Sequence, residues 1–96
     1  MPIVEISVVP VGTNTASVSR YVRTALEIIK NSGLNYSVNP MGTCIEGDWE
    51  TIFQTIRQIH EKLTSIGCPR LITTIKIDDR RDKQQTMQDK VKKVTT

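Results

Sequence analysis

Leu34-Asn35-Tyr36-Ser37-Val38-Asn39-Pro40-Met41-Gly42-Thr43-Cys44-Ile45-Glu46 fixes the topology, because it holds two short strand-like runs with almost nothing between them. Leu34, Tyr36 and Val38 share one parity against Asn35, Ser37 and Asn39, which is the period of a half-buried strand. Pro40-Met41-Gly42 marks a turn or bulge, and Thr43 to Glu46 reads as the next strand. So short a join makes the pair an antiparallel hairpin, since parallel neighbours need a crossover of a dozen or more residues.

On either side the period changes to that of a helix and then back again. Residues 3 to 10 alternate, with Val4, Ile6 and Val8 against Ile3, Glu5, Ser7 and Val9, until Pro10 and Gly12 stop the strand. Thr13 to Ser17 offers several candidate N-caps. Val18, Tyr21, Val22, Ala25, Leu26 and Ile29 then recur at helical spacing up to Gly33, a helix of about sixteen residues. After the hairpin, Asp48 is placed to cap a second helix whose stripe is Trp49, Ile52, Phe53, Ile56, Ile59, Leu63 and Ile66, closed by Gly67 and Pro69. A last strand over 70 to 78 sets Leu71, Thr73, Ile75 and Ile77 against Ile72, Thr74, Lys76 and Asp78, and runs into the mixed charges Asp79-Arg80-Arg81-Asp82-Lys83. Strand, helix, strand, strand, helix, strand is the split βαβ arrangement of ferredoxin-like α+β folds: a four-stranded antiparallel sheet with two helices on one face. In folds of that kind the strands lie in the order 4-1-3-2. Met87, Val91 and Val94 add a short C-terminal helix after a possible Asp82 cap; three apolar positions give it too little stability alone, so it should dock on its own domain or on a neighbour.

Size and composition narrow the function by exclusion. Ninety-six residues suit a single domain over 1–96 with a modest core. Thirteen basic residues are interleaved with ten acidic ones, and Arg80-Arg81 is bracketed by Asp79 and Asp82, so the charge of +3 is no nucleic-acid footprint. Cys44 and Cys68 have neither disulfide-framework nor zinc spacing. Met1-Pro2-Ile3-Val4-Glu5 lacks a basic segment before its apolar run, and no stretch approaches the roughly 18 to 20 apolar residues of a membrane span. The expectation is a cytoplasmic protein with no membrane partner and no cofactor. An acylphosphatase-like enzyme would want an arginine in the first strand-to-helix loop, and residues 10 to 17 contain none. An RNA-binding module would carry aromatics on its central strands, whereas only Tyr36 lies on a strand, facing the expected core. With no catalytic signature, the expectation is not an enzyme.

What remains is a binding surface. If Val4, Ile6, Val8, Tyr36, Val38, Leu71, Ile75 and Ile77 meet the helices, the other face carries Ile3, Glu5, Ser7, Val9, Ser37, Asn39, Ile72, Thr74 and Lys76. Such a face suits water, another subunit or a small molecule. Glu5 can accept from an amine or a protonated heterocycle, or pair with Lys76 across the sheet. Glu46 can play the same part or simply precede the helix, and Thr43 follows Gly42, where backbone can approach a ligand. The candidate ligand-binding residues are Glu5, Ser7, Asn39, Thr43, Glu46 and Lys76. His60, without a second histidine, reads as a packing or surface residue, and Cys44 as a small strand residue rather than a nucleophile. Trp49, Phe53, Tyr21 and Tyr36 read as core filling. Pro-x-Gly-Thr occurs at Pro10 to Thr13 and at Pro40 to Thr43, but in unlike connections, so it reflects turn chemistry and not a duplication.

Val9-Pro10-Val11-Gly12-Thr13, Pro40-Met41-Gly42-Thr43-Cys44-Ile45-Glu46-Gly47 with Trp49, and the run from Thr73 to Lys83 resemble the small thiamine-binding, YkoF-like family over nearly the whole chain. The resemblance implies a ferredoxin-like fold, association into homodimers or homotetramers, and binding of thiamine or its hydroxymethylpyrimidine part without chemistry. An aminopyrimidine wants an acceptor for its amine and a partner for its ring nitrogen, which Glu5 or Glu46 with Ser7 or Thr43 could supply; Lys76 suits a phosphorylated form, with Arg80 or Arg81 behind it. The competing reading is a structural or regulatory homo-oligomer without a small-molecule ligand.

Overall fold

The computed structural model describes residues 1–14 and 18–95. Its elements follow in the order β1 (Ile3–Val11), α1 (Ser19–Asn31), β2 (Asn35–Asn39), β3 (Gly42–Glu46), α2 (Trp49–Ser65), β4 (Arg70–Asp78) and α3 (Met87–Thr95). The sheet order is β2-β3-β1-β4 and every neighbour is antiparallel, so the expected ferredoxin-like topology is the one observed. Val4 faces Ile45 and Ile77 across the ladders, and Ile45 faces Tyr36, which puts one apolar row under the helices.

Local chemistry sets the helix ends. Asp48 caps α2: its carboxylate accepts from the Thr51 N–H at 2.9 Å and the Thr51 hydroxyl at 2.7 Å, and those bonds hold its carboxyl below the usual range. At the other end the Cys68 N–H reaches the Leu63 carbonyl and the Gly67 N–H that of Thr64, a Schellman closure that needs the left-handed φ of 109° at Gly67. α1 is shorter than expected, 13 residues, and Val18 stands at its N-cap without a side-chain bond. Of its expected caps, Thr15, Ala16 and Ser17 lie outside the described residues.

The core is Val4, Ile6 and Ile45 from the sheet with Tyr21, Ile29, Ile52, Ile56, Ile59 and Leu63 from the two helices. Several residues expected there are not in it. Val38 is 56% exposed and Ile75 and Ile77 are 38% and 41% exposed, because they sit on the outer strands β2 and β4, beyond the width that two helices cover. Trp49 and Phe53 are also about two-fifths open and stack on each other, with centroids 5.9 Å apart and planes at 3°. They form a ridge along the side of α2, whereas Ile52, Ile56, Ile59 and Leu63 take its sheet-facing stripe.

α3 lies on the opposite face of the sheet. Asp82 does not cap it, being held by Arg80 at 2.7 Å. Thr86 does instead, in a reciprocal box: the Asp89 N–H donates to the Thr86 hydroxyl and the Thr86 N–H to the Asp89 carboxylate, each at 3.1 Å. The helix is tied to the sheet by the buried Glu46, whose carboxylate accepts from the Met87 N–H at 2.9 Å and from the Asn35 amide. Lys90 reaches Asp78 at 2.6 Å from further along.

Candidate functional site

The ladders around β1 are unequal, and the difference makes a hollow. β1 pairs with β4 along its whole length, from Ile3–Asp78 to Val11–Arg70, but its register with β3 ends at Ile6–Thr43. From Val8 onward one edge of β1 therefore has no strand beside it. No backbone hydrogen bond among the described residues takes its place. The hairpin turn from Asn39 to Thr43 bounds the hollow below and Tyr21 and Ala25 of α1 bound it behind, leaving a solvent-open space of about 210 Å³. Ser7, Asn39 and Thr43 line this space together. Ser7 and Thr43 are half-buried, and neither hydroxyl has a hydrogen-bond partner among the described residues.

Register assigns the other expected site residues to different surroundings. Thr43 faces Ile6 and Val38, so it sits on the helix side of the sheet, while Glu5 faces Cys44 and Lys76 on the other side. Glu5 lies across Gly42, where a Cβ would come 3.0 Å from the Ile6 carbonyl oxygen and crowd the β1 backbone, while meeting the Glu5 Cγ at an ordinary contact distance of 3.4 Å. Lys76 stands opposite Glu5 in the ladder, yet the two form no ion pair among the described residues. Glu46 is spent on holding α3. On that face Ile3, Ser37, Asn39 and Cys44 form the floor of a second, wider cleft of about 600 Å³ roofed by Met87, Lys90 and Val91. Only Asn39 belongs to both hollows.

The remaining reactive side chains are occupied in packing. His60 Nε2 lies 2.6 Å from the Thr73 hydroxyl, joining α2 to β4. No cluster of three or more His, Cys, Asp or Glu able to hold a metal occurs among the described residues, and none of their helices is long and apolar enough to cross a membrane. Tyr21, Val8 and the α1 wall line the hollow without being among the site residues expected from the sequence. The available signal was the length mismatch between a first strand of eight residues and a third of four, which leaves half of the former unpaired.

Burial, and then the charge of Glu5 with its carboxylate 3.9 Å from Sγ, push the Cys44 thiol above its ordinary value. At neutral pH the group is therefore a thiol and a poor nucleophile. Cys68, at 2% exposure, is sealed off. A disulfide-exchange reagent is expected to modify Cys44 alone and more slowly than free cysteine, and Glu5→Gln to speed the reaction several-fold. Equal rates in the two proteins would mean that Glu5 does not act on this thiol.

Comparison with known proteins agrees with this architecture. The model of a family described as thiamine-binding protein matches residues 4–95. A UPF0045 protein encoded beside the glkA gene in Staphylococcus xylosus is 45% identical over 98% of this chain and 92% of its own. The UPF0045 protein YqgV of Bacillus subtilis is 39% identical over 98% and 94%. Among solved structures, hypothetical protein MJ1052 of Methanocaldococcus jannaschii superposes with a TM-score of 0.89 at 35% identity, covering 97% of this chain and 94% of that one. A candidate thiamine biosynthesis/salvage protein from Thermotoga maritima superposes with a TM-score of 0.82 at 27% identity, covering 96% of each. With that match over residues 4–95, the chain belongs to the thiamine-binding protein family, and UPF0045 proteins are among its relatives.

Proposed function

We propose that the protein binds thiamine through its hydroxymethylpyrimidine part, without chemistry, in the hollow beside the free edge of β1, and that it does so as a cytoplasmic homo-oligomer. The observation that carries this is the backbone edge of β1 beyond Ile6, which has no strand beside it on the β3 side and borders a hollow that both Ser7 and Thr43 line. A 4-aminopyrimidine presents an N–H donor next to a ring-nitrogen acceptor. A strand edge presents the complementary C=O and N–H, so the ring can be held as a further strand would be. Tyr21 and Ala25 supply the apolar wall such a ring requires. A volume of about 210 Å³ lies below the roughly 300 Å³ at which pockets begin to take whole drug-sized ligands, so one substituted ring enters and the thiazolium stays outside. Glu5, across Gly42 from the turn, is a carboxylate for that cation, and Lys76 beside it is an ammonium for the phosphate of a phosphorylated form. Asn39 stands at the junction of the two faces, where it can serve either ring.

Calorimetric titration with thiamine and with hydroxymethylpyrimidine tests the reading. Both should bind at about 1 μM or tighter, roughly 8 kcal/mol. Thr43→Val, which keeps the shape and removes the hydroxyl, should weaken both by about 1 to 3 kcal/mol. No heat with either compound, or an unchanged dissociation constant in Thr43→Val, would refute it.

A further inference from the structure

The hollow at the free edge of β1 is rimmed by large apolar side chains that remain in water. Val22 of α1 is 51% exposed, Val38 of β2 56% and Met41 of the hairpin turn 86%, yet all three line the same space. Single exposed apolar residues are ordinary, but three around one opening form a surface that a further contact would take out of water.

The three differ in what they can do. Val22 and Val38 are short and β-branched, and helix and ladder fix their backbones, so their side chains have little freedom. Met41 has three rotatable bonds and a polarisable sulfur. Its backbone, by contrast, is held on both sides. Asn39 pairs with Gly42, so Pro40 and Met41 are the whole of the turn, and the Pro40 ring fixes one φ. Gly42 is seated so close to β1 that a Cβ there would lie 3.0 Å from the Ile6 carbonyl oxygen. The turn is a fixed mount carrying a flexible side chain.

We propose that Met41 is the cover of the hollow: its thioether folds inward over a bound pyrimidine ring and lies in solvent when the hollow is empty. This rests on the pyrimidine reading of that hollow and adds the residue that retains the ring. The open position of the empty protein follows from packing. Over an empty hollow the side chain would lose rotamer freedom and gain contacts on one side only. A seated ring supplies the missing surface, and sulfur against an aromatic ring is favourable beyond the area buried. The ring is then held between the α1 wall of Tyr21 and Ala25 and the Met41 side chain. Its departure requires that side chain to swing away first, so the effect falls on the dissociation rate.

Dilute hydrogen peroxide reads the position of the sulfur, since it transfers one oxygen to an accessible thioether and leaves as water. Met87, 8% exposed, is shielded throughout, and free methionine in the same solution gives the rate of an open thioether. Met41 should oxidise about as fast as free methionine in the protein alone, and about fivefold or more slowly with saturating hydroxymethylpyrimidine. Met41→Ala should raise the dissociation constant for that compound about fivefold through faster release, and Met41→Leu, which restores the bulk, should recover most of the loss. Binding that leaves the oxidation rate of Met41 unchanged, or a Met41→Ala protein that releases the ligand as slowly as the wild type, would overturn the cover and leave the pyrimidine site standing. A wild-type protein that binds no hydroxymethylpyrimidine would overturn both.

Discussion

Ile45→Ala should lower the stability of the fold by about 2 to 5 kcal/mol, near the upper end of that range. Ile45 has no exposed surface, lies on a central strand, and stands between Val4 and Tyr36 in the ladders beneath both helices. Backbone pairing on both sides fixes its position, so the cavity left by the missing carbons cannot close by movement of the strand. A chain of 96 residues has about 5 to 15 kcal/mol in all, so this one side chain represents a large share. At roughly 4 to 8 °C per kcal/mol, the midpoint of thermal unfolding should fall by more than 10 °C. A loss below about 1 kcal/mol in urea unfolding would mean that Ile45 is not at the centre of the core.

The second large effect concerns α3. Glu46 is 8% exposed and accepts hydrogen bonds from the Met87 N–H and from Asn35, so its charge also sits against the positive N-terminal end of the helix. Glu46→Gln keeps the size, loses the charge and turns an N–H donor toward donors. Charge-assisted bonds of this kind are worth about 1.5 to 3 kcal/mol. α3 has nine residues, short of the roughly 12 to 15 that make an isolated helix even marginal, and its Val91 and Val94 are largely exposed. Removing the tether should therefore release the whole element. Amide exchange from Lys90 to Val94 should accelerate about tenfold or more while Val4 and Ile45 keep their protection. Unchanged exchange along α3 would show that Lys90–Asp78 and Met87 suffice to hold it.

What could be read in the sequence, and what could not, follows from the range of the interactions involved. Alternation in β1, the short join at Pro40-Met41-Gly42 and the stripe ending at Leu63 are all local, and they gave the element order. Asp48 was readable as a cap because its partner Thr51 is three residues away. Asp82 does not cap α3 because Arg80, two residues back, competes for it, and the nearer Thr86-x-x-Asp89 box takes its place. Parity placed Ile75, Ile77 and Val38 on the helix side correctly, but burial there depends on how far two helices reach across four strands, which no strand's own period contains. Trp49 and Phe53 belong to the same class of error on the helix. Of the expected site residues, Ser7, Asn39 and Thr43 come together through the register between β1 and β3, a long-range quantity; Glu5 and Lys76 share a row on the opposite face, and Glu46 is taken by an α3 contact 41 residues away.

The most direct measurement is a titration of isotopically labelled protein with hydroxymethylpyrimidine, followed by amide chemical shifts. Binding at the free edge of β1 should move the resonances of Ser7, Val8 and Val9 together with those of Gly42 and Thr43, in one saturating process, and leave Val91 and Thr95 of α3 unmoved. Shifts confined to Ser37, Cys44 and Val91 would put the ligand in the wider cleft on the other face, and no shifts at any concentration would contradict pyrimidine binding altogether.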